Sequence, residues 1–550
     1  MPDSAQADLV LTGGVVHTGD AARSRRRAVA VRGGRIIAVG GERDVAAHIG
    51  RSTRVVEIGG GMVIPGFQDA HIHPISGGLT RSRCDLHEAR GRDSYLAIVA
   101  KYAAAHPERE WIDGSGWAMD DFPGGTPNRA DLDAIVPDRP VFITNRDGHG
   151  AWVNGRALEI AGINRETADP RDGRIERDAA GEPTGTLHEG ATELVRRNMP
   201  ADSAADLEEG LRVAQAYLHS LGITAWQDAI VTAEELRTYA AVAGRGELTA
   251  RVVGALWWDR DRGDEQIEEL REWRSRGPIG RFAATSVKIM QDGVLENFTG
   301  AMVEPYLDAT GHATENRGLS FVDPVRLRGH VTRLDAEGFQ VHFHAIGDRA
   351  VREALDAFEA ARAANGWTDG RHHISHIQVI QPSDIPRFAQ LGVAANAQPY
   401  WACRDGQMEN LTIPFLGPER AGWQYPFRSL RRAGAVLAMG SDWSVSTPNP
   451  LLEMEVAVTR VADGARGKAE PLLPEEALDA TDALAAFTSG SAWVNHLDGE
   501  TGTIEVGKAA DLVLLDRDIL APNAGHIGDA RVLVTLVEGV PVYEDRALPG

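Results

Sequence analysis

Along the first 65 residues, short β-branched runs alternate with glycine turns. Asp8-Leu9-Val10-Leu11-Thr12 leads into Gly13-Gly14 and then Val15-Val16-His17. Ala28-Val29-Ala30-Val31 runs to Gly33-Gly34 and on to Ile36-Ile37-Ala38-Val39, and Val55-Val56-Glu57-Ile58 precedes three glycines. Such runs predict strands and hairpins. The C-terminal end has the same texture: Asp511-Leu512-Val513-Leu514-Leu515 echoes Asp8-Leu9-Val10-Leu11, and Val532-Leu533-Val534-Thr535-Leu536-Val537 is a further strand candidate. Neither end has enough strands to bury a face by itself. The pattern therefore predicts one small β-sandwich built from residues 1–65 plus 491–550, with two unrelated β-flaps as the alternative.

Between residues 66 and 490 the pattern shifts to apolar, strand-length runs separated by stretches rich in Ala, Glu, Leu and Arg. Strand candidates are 62–73, 286–290, 340–344, 372–377, 393–397 and 435–441; helix candidates include 203–221, 324–337 and 349–364. This alternation predicts parallel βα units in an α/β fold, either a (β/α)8 TIM barrel or a doubly wound sheet. Residues 113–200, rich in Gly, Asp and Arg, fit the alternation poorly and read as an insertion over the barrel mouth.

Composition and charge exclude several function classes. The chain has 550 residues, enough for one large domain and a smaller companion. Its 57 Lys and Arg against 79 Asp and Glu give a formal charge of −22, which repels nucleic-acid phosphates and anionic lipid headgroups. Two cysteines, Cys84 and Cys403, make no disulfide framework, so a reducing compartment is expected. The N-terminus carries no apolar signal core, and no run of about 18 apolar residues occurs. These features together predict a soluble cytoplasmic protein with no nucleic-acid or membrane partner.

The sharpest chemical feature is Pro65-Gly66-Phe67-Gln68-Asp69-Ala70-His71-Ile72-His73-Pro74. Side chains two apart on a strand share a face, so His71 and His73 aim two imidazoles into one space. Polar residues then recur at the carboxyl ends of later strands, where barrel active sites lie. Lys288 interrupts the apolar run Ser286-Val287-Lys288-Ile289-Met290, a position that is costly unless the amine gains a partner or loses its charge. His344 ends Gln340-Val341-His342-Phe343-His344, His376 lies in His372-His373-Ile374-Ser375-His376, and Asp442 follows Gly440-Ser441. Each has a plainer alternative. His342 shares a strand face with His344, His372 and His373 suit a surface or supporting role, and Asp442 suits a helix N-cap. Four histidines, a lysine and an aspartate at successive strand ends are nevertheless hard to explain as packing.

These segments resemble the amidohydrolase superfamily, in its YtcJ-like and N-substituted formamide deformylase-like branch (amidohydrolase family 3). The resemblance rests on Asp8-Leu9-Val10-Leu11-Thr12-Gly13-Gly14, on the stretch from Val63 to His73, on Val287-Lys288-Ile289-Met290-Gln291-Asp292-Gly293, and on Val341-His342-Phe343-His344-Ala345-Ile346-Gly347-Asp348-Arg349-Ala350. Ile374-Ser375-His376-Ile377-Gln378, Gly440-Ser441-Asp442-Trp443 and the closing stretch from Gly502 to Val513 complete it. It spans nearly the whole chain, in barrel order.

Carried over, the resemblance implies that His71 and His73 bind one divalent metal and His344 and His376 a second. Lys288, as a CO2-derived carbamate, would bridge the two, and Asp442 would bind metal and serve as general acid/base. Zn is the default ion, with Fe or Mn also suited to such ligands. A homodimer is an expectation from habit in such barrels. The segment Asn145-Arg146-Asp147-Gly148-His149-Gly150-Ala151-Trp152-Val153-Asn154 resembles one typical of this branch, making His149 a candidate substrate contact or, equally, a structural loop residue. Asp292 is a further candidate contact. Trp117, Trp257, Trp401 and Trp443 are candidates for an apolar pocket wall.

The expected reaction is hydrolysis of a non-peptide C–N bond by metal-activated water, with an N-substituted formamide or another N-acyl amine as substrate. The alternatives are a deaminase of an amino-heterocycle with a single metal, and a non-catalytic interaction protein, which should have lost ligands that are all present here.

Overall fold

The computed structural model describes residues 6–545. At its centre lie eight parallel strands: β1 (Phe67–Ile72), β2 (Ile223–Val231), β3 (Arg251–Trp257), β4 (Phe282–Met290), β5 (Gln340–Ala345), β6 (His373–His376), β7 (Ala394–Ala397) and β8 (Leu437–Met439). Each pairs with its neighbours in chain order. The ring closes just beyond β8, where Asp442 N–H donates to His71 O and His73 N–H donates to Trp443 O, each at 2.8 Å. Helices fill the crossovers, as expected for a right-handed βα succession. Among the described residues, no helix is long and apolar enough to cross a membrane.

The longer helices begin and end where their sequences require. α1 (Ala204–Ser220) starts at Ser203, whose hydroxyl accepts from Asp206 N–H while the Asp206 carboxylate accepts from Ser203 N–H. Leu207, Leu211, Ala214 and Leu218 then recur on one buried face. α2 (Pro324–Ala336) opens on Asp323, which caps two backbone N–H groups ahead of a proline at the first helical position. α3 (Asp348–Asn365) follows β5 directly.

One expectation is corrected here. The run 62–73 is not one barrel strand. Met62–Pro65 pairs antiparallel with Leu512–Leu515 in an outer sheet, and only Phe67–Ile72 enters the barrel. The break is Gly66, where the chain passes so close to β2 that a Cβ would lie 2.3 Å from Thr224 Oγ1. A continuous apolar run hides a change of sheet, because both halves are buried.

Two further sheets flank the barrel. One joins Arg35–Gly40, Ala28–Arg32, Leu9–Thr12 and Arg54–Glu57; the other joins Val540–Glu544, Val532–Val537, Leu512–Leu515, Met62–Pro65, Val15–His17 and Arg25–Arg26. Leu11 and Val31 of the first meet Val63, Leu514 and Leu536 of the second in one apolar cluster. Over the barrel's carboxyl end, a six-stranded sheet runs from Cys84–Asp85 to Pro183–Glu189. Its strands are short and interrupted by Gly, Asp and Arg, which is why the sequence shows no alternation there.

Candidate metal centre

The seam between β1 and β8 sets the geometry of the site. Asp69 accepts from His71 N–H at 3.0 Å and from Ser441 N–H at 3.1 Å, pinning both chain segments. Gly440 allows this approach, since a Cβ there would lie 2.5 Å from His71 N. His71 and His73, two residues apart, both turn Nε2 toward Asp442 Oδ1, at 3.2 and 2.9 Å. Asp442 is held at φ 54° by its backbone bond to His71, and no helix starts at it; the next one, Pro450–Thr459, is capped by Asn449. The N-cap alternative is therefore set aside.

Other strand ends complete the surroundings. Lys288, on β4, places Nζ 3.5 Å from His71 Nε2. His376, which ends β6 at φ 76°, holds Nδ1 4.0 Å from Asp442 Oδ2. Its ring lies 4.4 Å from that of His344, on β5. His344 Nε2, however, faces Gly293 O at 3.4 Å. The structure thus brings all six predicted residues to one mouth but packs only three tightly. The ligand atoms of His71, His73 and Asp442 lie within 4.8 Å of one another. Two non-glycine residues at positive φ in one site mark backbone strain that the surroundings must hold.

Burial dictates the protonation states. It pushes His344 and His376 well below the usual imidazole range and lowers His71 to about 3, with Lys288 adding to the effect. These rings are neutral, the form that ligates metal. Burial also lowers Lys288 to about 7 against the pull of Asp442 and Asp228. Asp442 is held well below the usual carboxylate range, because His71 and His73 outweigh its burial. Asp442 Oδ1 and His376 Nδ1 are buried with no hydrogen-bond partner. Orphaned atoms of this kind, on neutral imidazoles and a carboxylate, fit a divalent cation.

The expected substrate contacts fare differently. His149, in the sheet over the mouth, lies with its ring 5.5 Å from that of His344, and its Nδ1 bonds Glu189 Oε2 at 3.0 Å. Asp292 accepts from the N–H groups of Ala301, Ile346 and Gly347, bracing the turn after β5, and its Oδ1 lies 3.7 Å from His344 Nε2. Trp117 is corrected. It is fully buried in the core of the overlying sheet, with Nε1–H donated to Ile143 O. Of the other tryptophans, Trp401 stacks on His376, while Trp443 packs on Tyr217.

Sequence reasoning missed Glu189. It sits at φ 50° and accepts from Thr299 Oγ–H and Asn297 Nδ2–H as well as His149. This carboxylate raises His149 to about 9 in spite of burial. Its only sequence signal is the acidic residue closing the strand Pro183–Glu189. His342 was left open as a ligand; it lies deeper, with Nε2 2.8 Å from His71 Nδ1. His372 and His373 are both buried below the mouth, away from the surface.

The model of the amidohydrolase family matches residues 54–543. The chain belongs to the amidohydrolase family. It is 30% identical to the putative amidohydrolase YtcJ of Bacillus subtilis, over 97% of this chain and 98% of that one. It is 28% identical to N-substituted formamide deformylase of Arthrobacter pascens, over 98% of each. A crystal structure of an uncharacterized metal-dependent hydrolase from Pyrococcus furiosus superposes with a TM-score of 0.70 at 26% identity, covering 93% of this chain and all of that one. This amidohydrolase is accordingly a metal-dependent hydrolase acting on carbon–nitrogen bonds.

Proposed function

We propose that this amidohydrolase cleaves the amide bond of an N-substituted formamide or a related N-acyl amine in the cytoplasm. The observation that carries the reading is the convergence of His71, His73 and Asp442, with Lys288, His344 and His376 around them, at the carboxyl end of the barrel. In this reading Lys288 is carbamylated, and two divalent ions, Zn by default, are held by His71, His73, Lys288, His344, His376 and Asp442. A buried amine lowered to about 7 is substantially neutral at physiological pH, the form that adds CO2. The resulting anionic oxygens suit cations better than an ammonium suits its apolar strand.

The ions, when bound, acidify a water and polarise the scissile carbonyl. Asp442, ionised throughout the working range, accepts the water's proton and passes it to the departing nitrogen, so that an amine leaves rather than an amide anion. His149, with Nδ1 committed to Glu189, has Nε2 left to hydrogen-bond the substrate oxygen. The N- and C-terminal segments, 1–65 and 491–550, act as one small sandwich bracing the barrel, a division supported by the sheet that joins Met62–Pro65 to Leu512–Leu515.

One observation favours a second reading. Three ligands are tightly grouped and His344 Nε2 faces Gly293 O, an arrangement suited to a single ion and to deamination of an amino-heterocycle. The products separate the two. Incubated with N-alkyl and N-aryl formamides, the metal-loaded enzyme should release formate and primary amine in equal amounts. Ammonia from amino-heterocycles, with no amine from any N-acyl amine, would overturn the amide reading.

A further inference from the structure

Beneath His71 lies a polar network whose hydrogen-bond directions are fixed from both ends. On one side, Gln340 Nε2 donates to Arg371 O and Val494 O, which can only accept. Gln340 therefore presents Oε1 to Gln227 Nε2 at 2.9 Å, and Gln227 presents Oε1 to His373 Nε2 at 3.0 Å. On the other side, His376 N–H, which can only donate, fixes Gln398 Oε1 at 2.7 Å. Gln398 Nε2 then donates to Asn396 Oδ1, and Asn396 Nδ2 donates to Ala70 O and to His373 Nδ1 at 3.2 Å. Both chains give the same answer: His373 is neutral, with its proton on Nε2.

His342 packs on this fixed ring, centroids 4.0 Å apart and planes tilted by 36°, and its Nδ1 has no partner. Its Nε2 meets His71 Nδ1 at 2.8 Å and Ser375 Oγ at 2.8 Å, while Ser375 Oγ lies 2.9 Å from His71 Nδ1. All three side chains are buried. A metal on His71 Nε2 requires the proton of that ring to sit on Nδ1. The triangle then holds two donors, His71 Nδ1–H and Ser375 Oγ–H, and a single free imidazole acceptor, His342 Nε2. Without metal the same protons have another arrangement: His342 Nε2–H to Ser375, Ser375 to His71 Nδ1, and the proton of His71 on Nε2, which faces Asp442 Oδ1 at 3.2 Å. No proton is gained or lost between the two; only the tautomers of His71 and His342 change.

We propose that His342 is a positioning residue that sets the ligating tautomer of His71: when metal is bound, Ser375 Oγ accepts from His71 Nδ1–H and donates its own proton to the single free lone pair of His342 Nε2, which also lies 2.8 Å from His71 Nδ1. Partners of this kind on a ligating histidine typically govern metal affinity by 10–100-fold. This inference rests on the proposal that His71 is a ligand.

Zn2+ affinity by competition with a chromophoric chelator, on the full-length protein, tests it without reference to activity. His342→Leu should weaken Zn2+ binding about tenfold, Ser375→Ala by less, and the double variant by up to about 100-fold. His342→Gln, whose amide oxygen reaches the position of Nε2, should remain near wild type. Unchanged affinity in His342→Leu, or equal losses in His342→Leu and His342→Gln, would overturn the proposal. Should the leucine variant not fold, His342→Asn replaces it, since its shorter amide cannot reach His71 and should weaken binding where glutamine does not. A wild-type protein that binds no Zn2+ fails the metal reading itself, an outcome distinct from any difference among the variants.

Discussion

Asp442→Asn should lower kcat for amide hydrolysis by about 10²–10⁴-fold, the contribution of one positioned acid–base group. The carboxylate touches both predicted histidine ligands, His71 on β1 and His73 just beyond it, at 3.2 and 2.9 Å, and it is held ionised by them. An amide of the same shape keeps a ligand oxygen for the ion but can neither take a proton from water nor return one to nitrogen. KM should change little, because the loss falls on the transition state rather than on binding. Steady-state kinetics on protein of verified metal content measure this. A loss below tenfold would place the proton transfer elsewhere.

The second large effect concerns Lys288. Lys288→Ala should remove about one equivalent of metal and lower kcat by about 10²-fold or more, since charge stabilisation by an ion is worth several kcal/mol. Lys288→Arg should do the same: it keeps a cation at a buried position, 3.5 Å from His71 Nε2 in the native chain, but cannot form a carbamate. A short-chain carboxylate such as formate should restore part of the activity of the alanine variant, by supplying the missing anionic oxygens. Indifference to both substitutions would favour the single-ion reading, in which this lysine is only a neighbour of the site.

Much of this was legible before any coordinate. The Phe67-to-His73 stretch announces a strand with two imidazoles on one face, and Lys288, His344 and His376 stand out as polar residues within or at the ends of later strand candidates. The helix candidates were equally visible: the stretches 203–221 and 324–337 begin within a residue of where the helices Ala204–Ser220 and Pro324–Ala336 start. What stayed hidden depends on depth and on partners far away in sequence. Period-two alternation cannot say which of His342 and His344 reaches the mouth; only the packing of His342 under His71 decides it. The bonds that Asp292 accepts from three backbone N–H groups, in two loops distant in sequence, are equally invisible to pattern. Glu189 was invisible because its meaning comes from His149, Asn297 and Thr299, none nearby in the chain. Strands β2 and β3 carry Gln227, Asp228 and Gly254 within their runs, which blunts the apolar pattern expected of a buried parallel strand.

The split at Gly66 carries the same lesson. Burial on both sides of the residue gives one unbroken apolar run, while hydrogen bonding assigns Met62–Pro65 and Phe67–Ile72 to different sheets. That junction matters for function, because it ties the β1 histidines to a sheet completed by the C-terminal strands.

The central claim is that this mouth holds a metal centre built from six side chains, and metal content tests it most directly. Elemental analysis of the wild-type chain, purified without chelators, should find about two equivalents of divalent metal, as a carbamate-bridged pair of ions requires. About one equivalent would contradict the paired centre and leave His71, His73 and Asp442 with a single ion. Less than about a tenth of an equivalent, unchanged after incubation with Zn2+, would contradict the metal reading altogether.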